Sequence, residues 1–350
     1  MNSHRIKIGI TQGDINSISY EVIMKTLLDP RVYDSCTPIL YGSPKVVAYH
    51  RKALNIGNFS LNAVRNADEA TYRHANLINV LDENVRVELG KSTPQAGEAS
   101  LLSLQAAIKD LKEDKIDALV TGPINKHNIQ SEQFHFPGHT EYLQEEFGAK
   151  EVLMIMVSEV VKVAIVTGHV PLSKVVSLIT IDNILSKLKI LNKSMLVDFA
   201  IRRPRIAVLS LNPHAGDEGL LGREEIDIII PAIEQAKNEG MIVTGPYPAD
   251  GFFGSDSYQK FDVVLAMYHD QGLAPFKALV FDQGVNFTAG LPIVRTSPAH
   301  GTAYELVGRD LASESSFRAA LYLACDILKN RTEYKQLTSN PLKNIDTSNL

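Results

Sequence analysis

Lys162-Val163-Ala164-Ile165-Val166-Thr167-Gly168-His169 is the stretch on which the reading of this chain turns: five strand-forming residues after a single lysine, then a glycine and a histidine. Apolar residues at successive positions, rather than alternate ones, mark a strand covered on both faces, as in parallel sheets flanked by helices. The same arrangement recurs along the chain. Lys7 to Thr11 runs into Gln12-Gly13-Asp14, Pro38 to Tyr41 into Gly42-Ser43, and Asp117 to Val120 into Thr121-Gly122-Pro123. Arg205 to Leu211 runs into Asn212-Pro213-His214, and Asp262 to Met267 into Tyr268-His269-Asp270. Between these strands Leu101, Leu104, Ile108 and Leu111, and again Ile181, Ile184, Leu188 and Leu191, fall at the three-and-four spacing that puts one apolar stripe on a helix. Glu224 and Glu225 place negative charge at a further helix start, Ser316 to about Leu328 reads as another helix, and from Asn330 the chain turns into a polar, frayed tail. Alternating strands and helices predict an α/β fold with largely parallel sheets.

Composition narrows the function classes. In 350 residues, 35 basic and 40 acidic side chains are spread without blocks, giving a net charge of -5 and no electrostatic footprint for nucleic acid or an anionic membrane. A small molecule is the expected partner. The 45% hydrophobic content is ample for real cores, but no apolar run approaches the roughly 18–20 residues of a membrane span. Met1 to Lys7 is short and polar, without a signal-peptide pattern, and the two cysteines, Cys36 and Cys325, fit neither a metal-ligand spacing nor a disulfide framework. These features predict a soluble, cytoplasmic protein.

Three histidines stand in the first loop positions after three separate predicted strands: His169, His214 and His269. Parallel strands deliver their following loops to one sheet edge, so residues about fifty apart in sequence converge there. Neutral imidazole is a preferred ligand of zinc and related divalent ions, and three protein ligands with one position open is the usual catalytic arrangement. The three together are therefore expected to hold one divalent metal ion, although each taken singly also reads as a hydrogen-bonded loop histidine. Zinc, magnesium, cobalt, nickel and manganese all remain open.

Asp270, beside one ligand, and Asp250, in Pro248-Ala249-Asp250-Gly251, are candidates to orient the imidazoles or to act on substrate, or else cap turns. His139 and Thr140 sit in Phe136-Pro137-Gly138-His139-Thr140-Glu141, where Thr140 reads equally as a helix N-cap. Lys277, Asn286 and Arg295 follow the third histidine among Gly284, Gly290 and Pro292, a stretch of loops and short strands; they would serve an anionic substrate or lie solvated on the surface. His300-Gly301-Thr302-Ala303 suits close backbone approach of a ligand. The chain contains no G-x-G-x-x-G after a strand, no G-x-x-x-x-G-K-[ST] and no G-x-S-x-G, which speaks against the Rossmann fingerprint, the P-loop and the serine hydrolase elbow.

With these segments in order, the sequence resembles the 4-hydroxythreonine-4-phosphate dehydrogenase family of vitamin B6 biosynthesis. The resemblance runs from about Ile8 to Leu328. It rests on Thr121-Gly122-Pro123-Ile124-Asn125-Lys126, Pro137-Gly138-His139-Thr140-Glu141, Thr167-Gly168-His169-Val170-Pro171-Leu172 and Leu211-Asn212-Pro213-His214-Ala215-Gly216. Ala266-Met267-Tyr268-His269-Asp270-Gln271-Gly272, Gly284-Val285-Asn286, Gly290-Leu291-Pro292 and Arg295-Thr296-Ser297 complete it. It implies a homodimer of two α/β/α domains of the isocitrate/isopropylmalate dehydrogenase-like type, one comprising residues 1–127 with 285–350 and the other 128–284, with active sites at the dimer interface. It implies a metal held by His169, His214 and His269 from both subunits, substrate contacts from His139, Thr140, Lys277, Asn286 and Arg295, and NAD with its adenosine end near His300 and Gly301. The sequence departs from the family pattern in its first motif, Gly13-Asp14-Ile15-Asn16-Ser17-Ile18-Ser19-Tyr20-Glu21, where Ser17 and Ser19 replace glycines, and at Ala299, where an acidic residue is usual.

The expected reaction is metal-assisted, NAD-dependent oxidation of the secondary hydroxyl of 4-phosphohydroxy-L-threonine to a β-keto acid, which decarboxylates to 3-amino-2-oxopropyl phosphate. Asp250, Asp270 and Lys126 are the candidates to take the hydroxyl proton. The alternatives are a paralogous dehydrogenase of erythronate or threonate 4-phosphate, a metal hydrolase or lyase that needs no NAD, and a catalytically silent binding protein.

Overall fold

The computed structural model describes residues 5–280 and 282–340 of the chain. Among these, twelve strands form one sheet: β1 (Lys7–Thr11), β2 (Thr37–Gly42), β3 (Asn62–Val64), β4 (Asn76–Asn79), β5 (Ala118–Thr121), β6 (Leu153–Val157), β7 (Lys162–Thr167), β8 (Arg205–Leu209), β9 (Ile242–Tyr247), β10 (Val263–Tyr268), β11 (Val285–Ala289) and β12 (Val294–Pro298). Their spatial order is β3-β4-β2-β1-β5-β12-β11-β6-β7-β10-β8-β9. The Val/Ile runs read from sequence are all strands, displaced by a residue or two at most. The expectation of a largely parallel α/β sheet is met, with one departure at its centre. β12 with β11, β11 with β6, and β6 with β7 pair antiparallel. The six strands from β3 to β12 therefore run one way, and β7, β10, β8 and β9 run the other.

Helices cover both faces. The helix Pro94–Lys112, capped by the Thr93 side chain, packs on β1, β2 and β5, and His269–Leu279 packs on β10 and β7. The opposite face carries the helix Ile181–Val197, whose predicted stripe Ile184, Leu188 and Leu191 is fully buried. At roughly 1.5–3 kcal/mol for each buried aliphatic side chain, such stripes supply the bulk of the drive to fold.

The last helix corrects the sequence reading: it spans Ser315–Thr338, ten residues past Leu328, across β12, β5 and β11. Polar residues after Asn330 continue it because they find partners. Asn330 donates to the Asp198 carbonyl and the Arg331 guanidinium reaches the Asp198 carboxylate at 2.6 Å. The polar tail beyond 340, like Met1 to His4 at the start, lies outside the described residues. Cys36 and Cys325, distant in sequence, are neighbours in the core, where the Cys325 thiol and then burial push the Cys36 thiol up.

Candidate active site

The reversal of strand direction sets the position of the site. Asn286 on β11 is opposite Ser297 of β12 and Met156 of β6, so the three share one face, with Arg295 and Met154 two residues along on the same face. Over that face lies a cavity of about 290 Å³. Its walls include the Thr121–Lys126 loop after β5, His139, His169 and His269 from the ends of β7 and β10, Lys277, His300 and Gly301. The cleft lies across the sheet between the two blocks, rather than along a single edge.

Arg295 is its most constrained member. Only 3% exposed, its guanidinium donates to Thr121 Oγ1 at 2.7 and 3.1 Å, to Thr288 Oγ1 at 3.3 Å and to His139 Nδ1 at 3.2 Å. All of these acceptors are neutral. Burial pushes the Arg295 pKa down to about 10, with the Glu141 carboxylate opposing. A buried cation hydrogen-bonded only to uncharged groups is costly until an anion joins it, so the surface-group reading of Arg295 is overturned. His139 is likewise buried, and burial, then the nearby Arg295 and Lys126 charges, hold its pKa well below the usual imidazole value. Its Nδ1 accepts from Arg295, so the neutral ring carries its proton on Nε2 and is a donor. Asn286 Oδ1 is buried without a partner among the described residues. Lys277 is exposed on the helix His269–Leu279, with Asn286 on β11 and Arg295 on β12, so the stretch read as loops and short strands is mostly regular structure.

The histidine expectation is met in part within one chain. β7, β10 and β8 are adjacent and parallel, so the three loops do leave from one edge. The His169 and His269 rings lie 5.6 Å apart. His214 instead lines a neighbouring cavity of about 460 Å³ with Asn212, Asp250 and Tyr268. No group of three His, Cys, Asp or Glu side chains capable of holding a metal occurs within the chain among the described residues. The cause is local. After Asn212-Pro213 the backbone enters the left-handed region for five successive residues, His214 to Glu218, with φ between 46° and 79°. For residues other than glycine this costs about 1–2 kcal/mol each, and it leaves His214 exposed on a turn that also bares Leu220 (79% exposed) and Leu221.

Asp270 accepts from His269 Nδ1 at 2.6 Å, which leaves His269 Nε2 as the free lone pair. Lys126 Nζ lies 3.5 Å from His169 Nε2 at the mouth of the cavity, whereas Asp250 stays beside His214. Thr140 is not an N-cap. Gly138 holds that position, and Thr140 lies in the first turn of the helix His139–Glu146, lining a small adjoining cavity with Glu141 and His169. His300 Nδ1 donates to the Gly301 carbonyl at 3.1 Å and its Nε2 is buried with no partner among the described residues, while burial lowers its pKa.

The first-strand loop absorbs its two serines. Ser17 Oγ donates to the Asp14 carbonyl and accepts from the Ser19 N–H, while Ser19 Oγ donates to the Gln12 carbonyl. Fully buried Asp14 in turn accepts from Asn128 at 2.9 Å and from the Tyr304 hydroxyl at 2.7 Å, tying this loop to those after β5 and after His300. Ala299 donates through its backbone N–H to Gly284 and Ser316, a role that needs no side chain. Sequence reasoning passed over Thr121 as a ligand of Arg295, although it stands in the quoted Thr-Gly-Pro motif. It also read Glu225 only as a helix-dipole partner. The Glu225 carboxylate is buried and accepts from the backbone N–H groups of Leu211 and Asn212.

Comparison with known proteins identifies the family. Residues 34–324 match the family model for "Pyridoxal phosphate biosynthetic protein PdxA". The chain is 55% identical over 345 residues, 98% of its length and 94% of its relative's, to the 4-hydroxythreonine-4-phosphate dehydrogenase of Bacteroides thetaiotaomicron. The crystal structure of the Klebsiella pneumoniae 4-hydroxythreonine-4-phosphate dehydrogenase superposes with a TM-score of 0.80 at 32% identity, covering 94% of this chain and 99% of that one. An isocitrate dehydrogenase from Methylococcus capsulatus, at TM-score 0.51 and 10% identity, shares the fold alone. The resemblance drawn from the motifs is thus borne out: the chain belongs to the 4-hydroxythreonine-4-phosphate dehydrogenase family, oxidoreductases of pyridoxal phosphate biosynthesis.

Proposed function

We propose that this dehydrogenase oxidises 4-phosphohydroxy-L-threonine with NAD and a divalent metal ion, in the cytoplasm, as a homodimer with shared active sites. The observation that carries the reading is Arg295, a buried guanidinium held ready among neutral acceptors, which calls for an anionic substrate group. His139 Nε2–H, Thr140, Lys277 and Asn286 are the further substrate contacts. Asn286 Oδ1, a buried acceptor without a partner among the described residues, suits a hydroxyl or ammonium donor. The unmet His300 Nε2, with Gly301 beside it, suits a donor on the adenosine end of NAD. For the two domains we propose residues 1–127 with 285–350, and 128–284, which meet at the central antiparallel strands.

The donor set fits a metal. His169 and His269 adjoin, Asp270 leaves the His269 Nε2 lone pair free, and desolvation of the His169 ring, then the Lys126 charge, lowers that imidazole's pKa and so favours its neutral, ligating form. The third ligand, His214, would come from a second copy. Leu172 (71% exposed) and Val176, on the helix that follows the His169 loop, and Leu220, on the turn that carries His214, are bare apolar surface, as an interface between copies requires. When bound, the ion supplies Lewis acidity at the substrate hydroxyl and at the charge left behind as carbon dioxide departs. Lys126, beside His169 in the cavity wall, is placed to receive the hydroxyl proton as hydride passes to NAD, provided that it has first given up its own. The secondary alcohol becomes a ketone β to the carboxylate, and loss of carbon dioxide then gives 3-amino-2-oxopropyl phosphate. Asp270 holds His269, and Asp250 accompanies His214 into the partner's site.

NADH formation on metal-stripped and reconstituted protein tests the whole reading. Turnover of 4-phosphohydroxythreonine only with metal and NAD is expected. Preference for erythronate or threonate 4-phosphate, or turnover without NAD, would overturn it.

A further inference from the structure

We infer that Glu225 is a positioning residue for His214: its carboxylate clamps the end of β8 and so fixes the left-handed turn that presents the imidazole. The inference rests on the proposal that His214 is a metal ligand, and it adds the part of the chain that aims it. Glu225 is 1% exposed, yet no lysine or arginine pairs with it among the described residues. Its Oε1 accepts from the backbone N–H of Leu211 and of Asn212, both at 2.8 Å, and its Oε2 accepts from Asn212 Nδ2 at 3.0 Å. Glu224 takes the other Asn212 amide hydrogen at 2.7 Å. Two residues before the histidine, the chain is therefore held through both its backbone and its side chain by one buried anion, in the manner of charge-assisted capping.

The turn is shaped around that anion. A Cβ on Gly216 would come within 2.7 Å of Glu225 Oε2, and one on Gly222 within 2.4 Å of Asn212 Nδ2. Gly216 and Gly222, the outer two of the three glycines in Gly216-Asp217-Glu218-Gly219-Leu220-Leu221-Gly222, thus have a steric reason besides their positive φ. The segment that carries Glu225, Glu225–Ile229, is a π-helical turn leading into Ile230–Asn238, and Pro231 there has no N–H to give an α-helical bond. The wider turn sets the carboxylate under the strand end. A second strap lies on the other side. Gln271 accepts from the Met267 N–H at 2.7 Å and donates to the Ser210 carbonyl at 2.5 Å, so the end of β8 is fixed to the end of β10, where His269 begins. The spacing between the His214 and His269 loops is in this way set by side chains that touch neither substrate nor metal.

The test is cobalt(II) titrated into metal-stripped Glu225→Gln, His214→Ala and parent protein, with amide hydrogen exchange on the metal-free forms. Glu225→Gln keeps the shape, removes the charge and turns an amide NH2 toward one of its donors. It should bind cobalt more weakly by on the order of 10–100-fold, the usual effect of losing a residue that orients a ligand. Leu211 and Asn212 amides should exchange faster, and turnover should recover at saturating metal. That recovery separates positioning from a general loss of structure. Should Glu225→Gln fail to fold, Gly216→Ala, which crowds the carboxylate from the opposite side, should give the same weakened, metal-rescued behaviour. Cobalt affinity and Leu211 exchange equal to the parent's in the glutamine variant, or parental affinity in a folded Gly216→Ala, would overturn the inference. If His214→Ala itself keeps parental cobalt affinity, the ligand reading fails instead; loss there with parental affinity in Glu225→Gln defeats the clamp alone.

Discussion

Around Arg295 one chain supplies everything. The guanidinium, His139, Thr121 and Thr288 are buried, mutually hydrogen-bonded and fixed on β5, β11, β12 and a helix start. Further along the same sheet the opposite holds: His169 lies on a loop and His269 opens a helix, their rings adjoining, while His214 is turned away on a left-handed turn beside bare Leu220 and Leu221. The contrast follows from what each end would bind. An anion pocket must be dry to be strong, so it is built from strands and kept closed. A site completed by a second copy must leave its own contribution exposed until that copy arrives. The difference can be broken outright by mixing variants. His214→Ala and His269→Ala should each be inactive and fail to retain metal, yet mixed dimers would contain one site with His169 and His269 from one chain and His214 from the other. Random reassociation should restore about a quarter of parental activity, since half the dimers are mixed and each has one intact site. No recovery on mixing, measured as NADH formation against subunit ratio, would place all three ligands in one chain and erase the contrast.

The same division separates what the sequence discloses from what it hides. Strands and the anion residues were legible because local patterns fix them: Val/Ile runs stop at Gly, Pro or Asn, and Arg295, Asn286 and His139 stand in distinctive motifs. The antiparallel centre was not legible. The five residues of β11 look like any short strand, and their direction is set by pairing with Met156, more than a hundred positions away. Nor was the turn at His214, because Ala215, Asp217 and Glu218 have no left-handed preference comparable to glycine's, and the Glu225 carboxylate that grips the preceding Leu211 and Asn212 comes from a later segment. Acidic residues after a loop suggest a helix start, and only the fold reveals that the carboxylate points back at the preceding strand. The serines at positions 17 and 19 teach the reverse: departures from the family's glycine pattern are bonded within their own loop.

A sharper form of the comparison asks what the closed end contributes to binding and what to folding. Replacing Arg295 by methionine removes a charge that the empty protein carries without an ionic partner. The ligand-free Tm should therefore stay within roughly 4 °C of the parent's, the lost hydrogen bonds to Thr121 and His139 being offset by relief of desolvation. Catalysis should respond differently. The substrate's anionic group would be left buried and unpaired, and kcat/KM should fall by about 3–5 kcal/mol, roughly 10²–10⁴-fold, mostly through KM. A large fall in Tm with little change in kcat/KM would make Arg295 a structural residue and remove the reason for calling that end a binding site.

The smallest effect concerns acid, and it falls on the closed block. His50, 2% exposed and stacked on Tyr20, donates from Nε2 to the Ile15 carbonyl at 2.7 Å and so braces the first-strand loop from behind; burial pushes its pKa down to about 4. Its folded pKa lies below the unfolded value of about 6.5, so between those values the unfolded chain binds the proton and the folded one does not. Stability is thus fully present above about pH 6.5 and is lost as pH falls toward 4, by about 3 kcal/mol from this residue alone at 1.36 kcal/mol per pH unit. His139 shifts in the same direction and adds to the loss. Denaturant unfolding of metal-free protein at fixed concentration, from pH 7 to 4, should show this slope, and His50→Gln should flatten it by His50's share. If His50→Gln leaves the slope as steep as the parent's, acid sensitivity would reside elsewhere, and the first-strand loop would not be the pre-formed element that its hydrogen bonds describe.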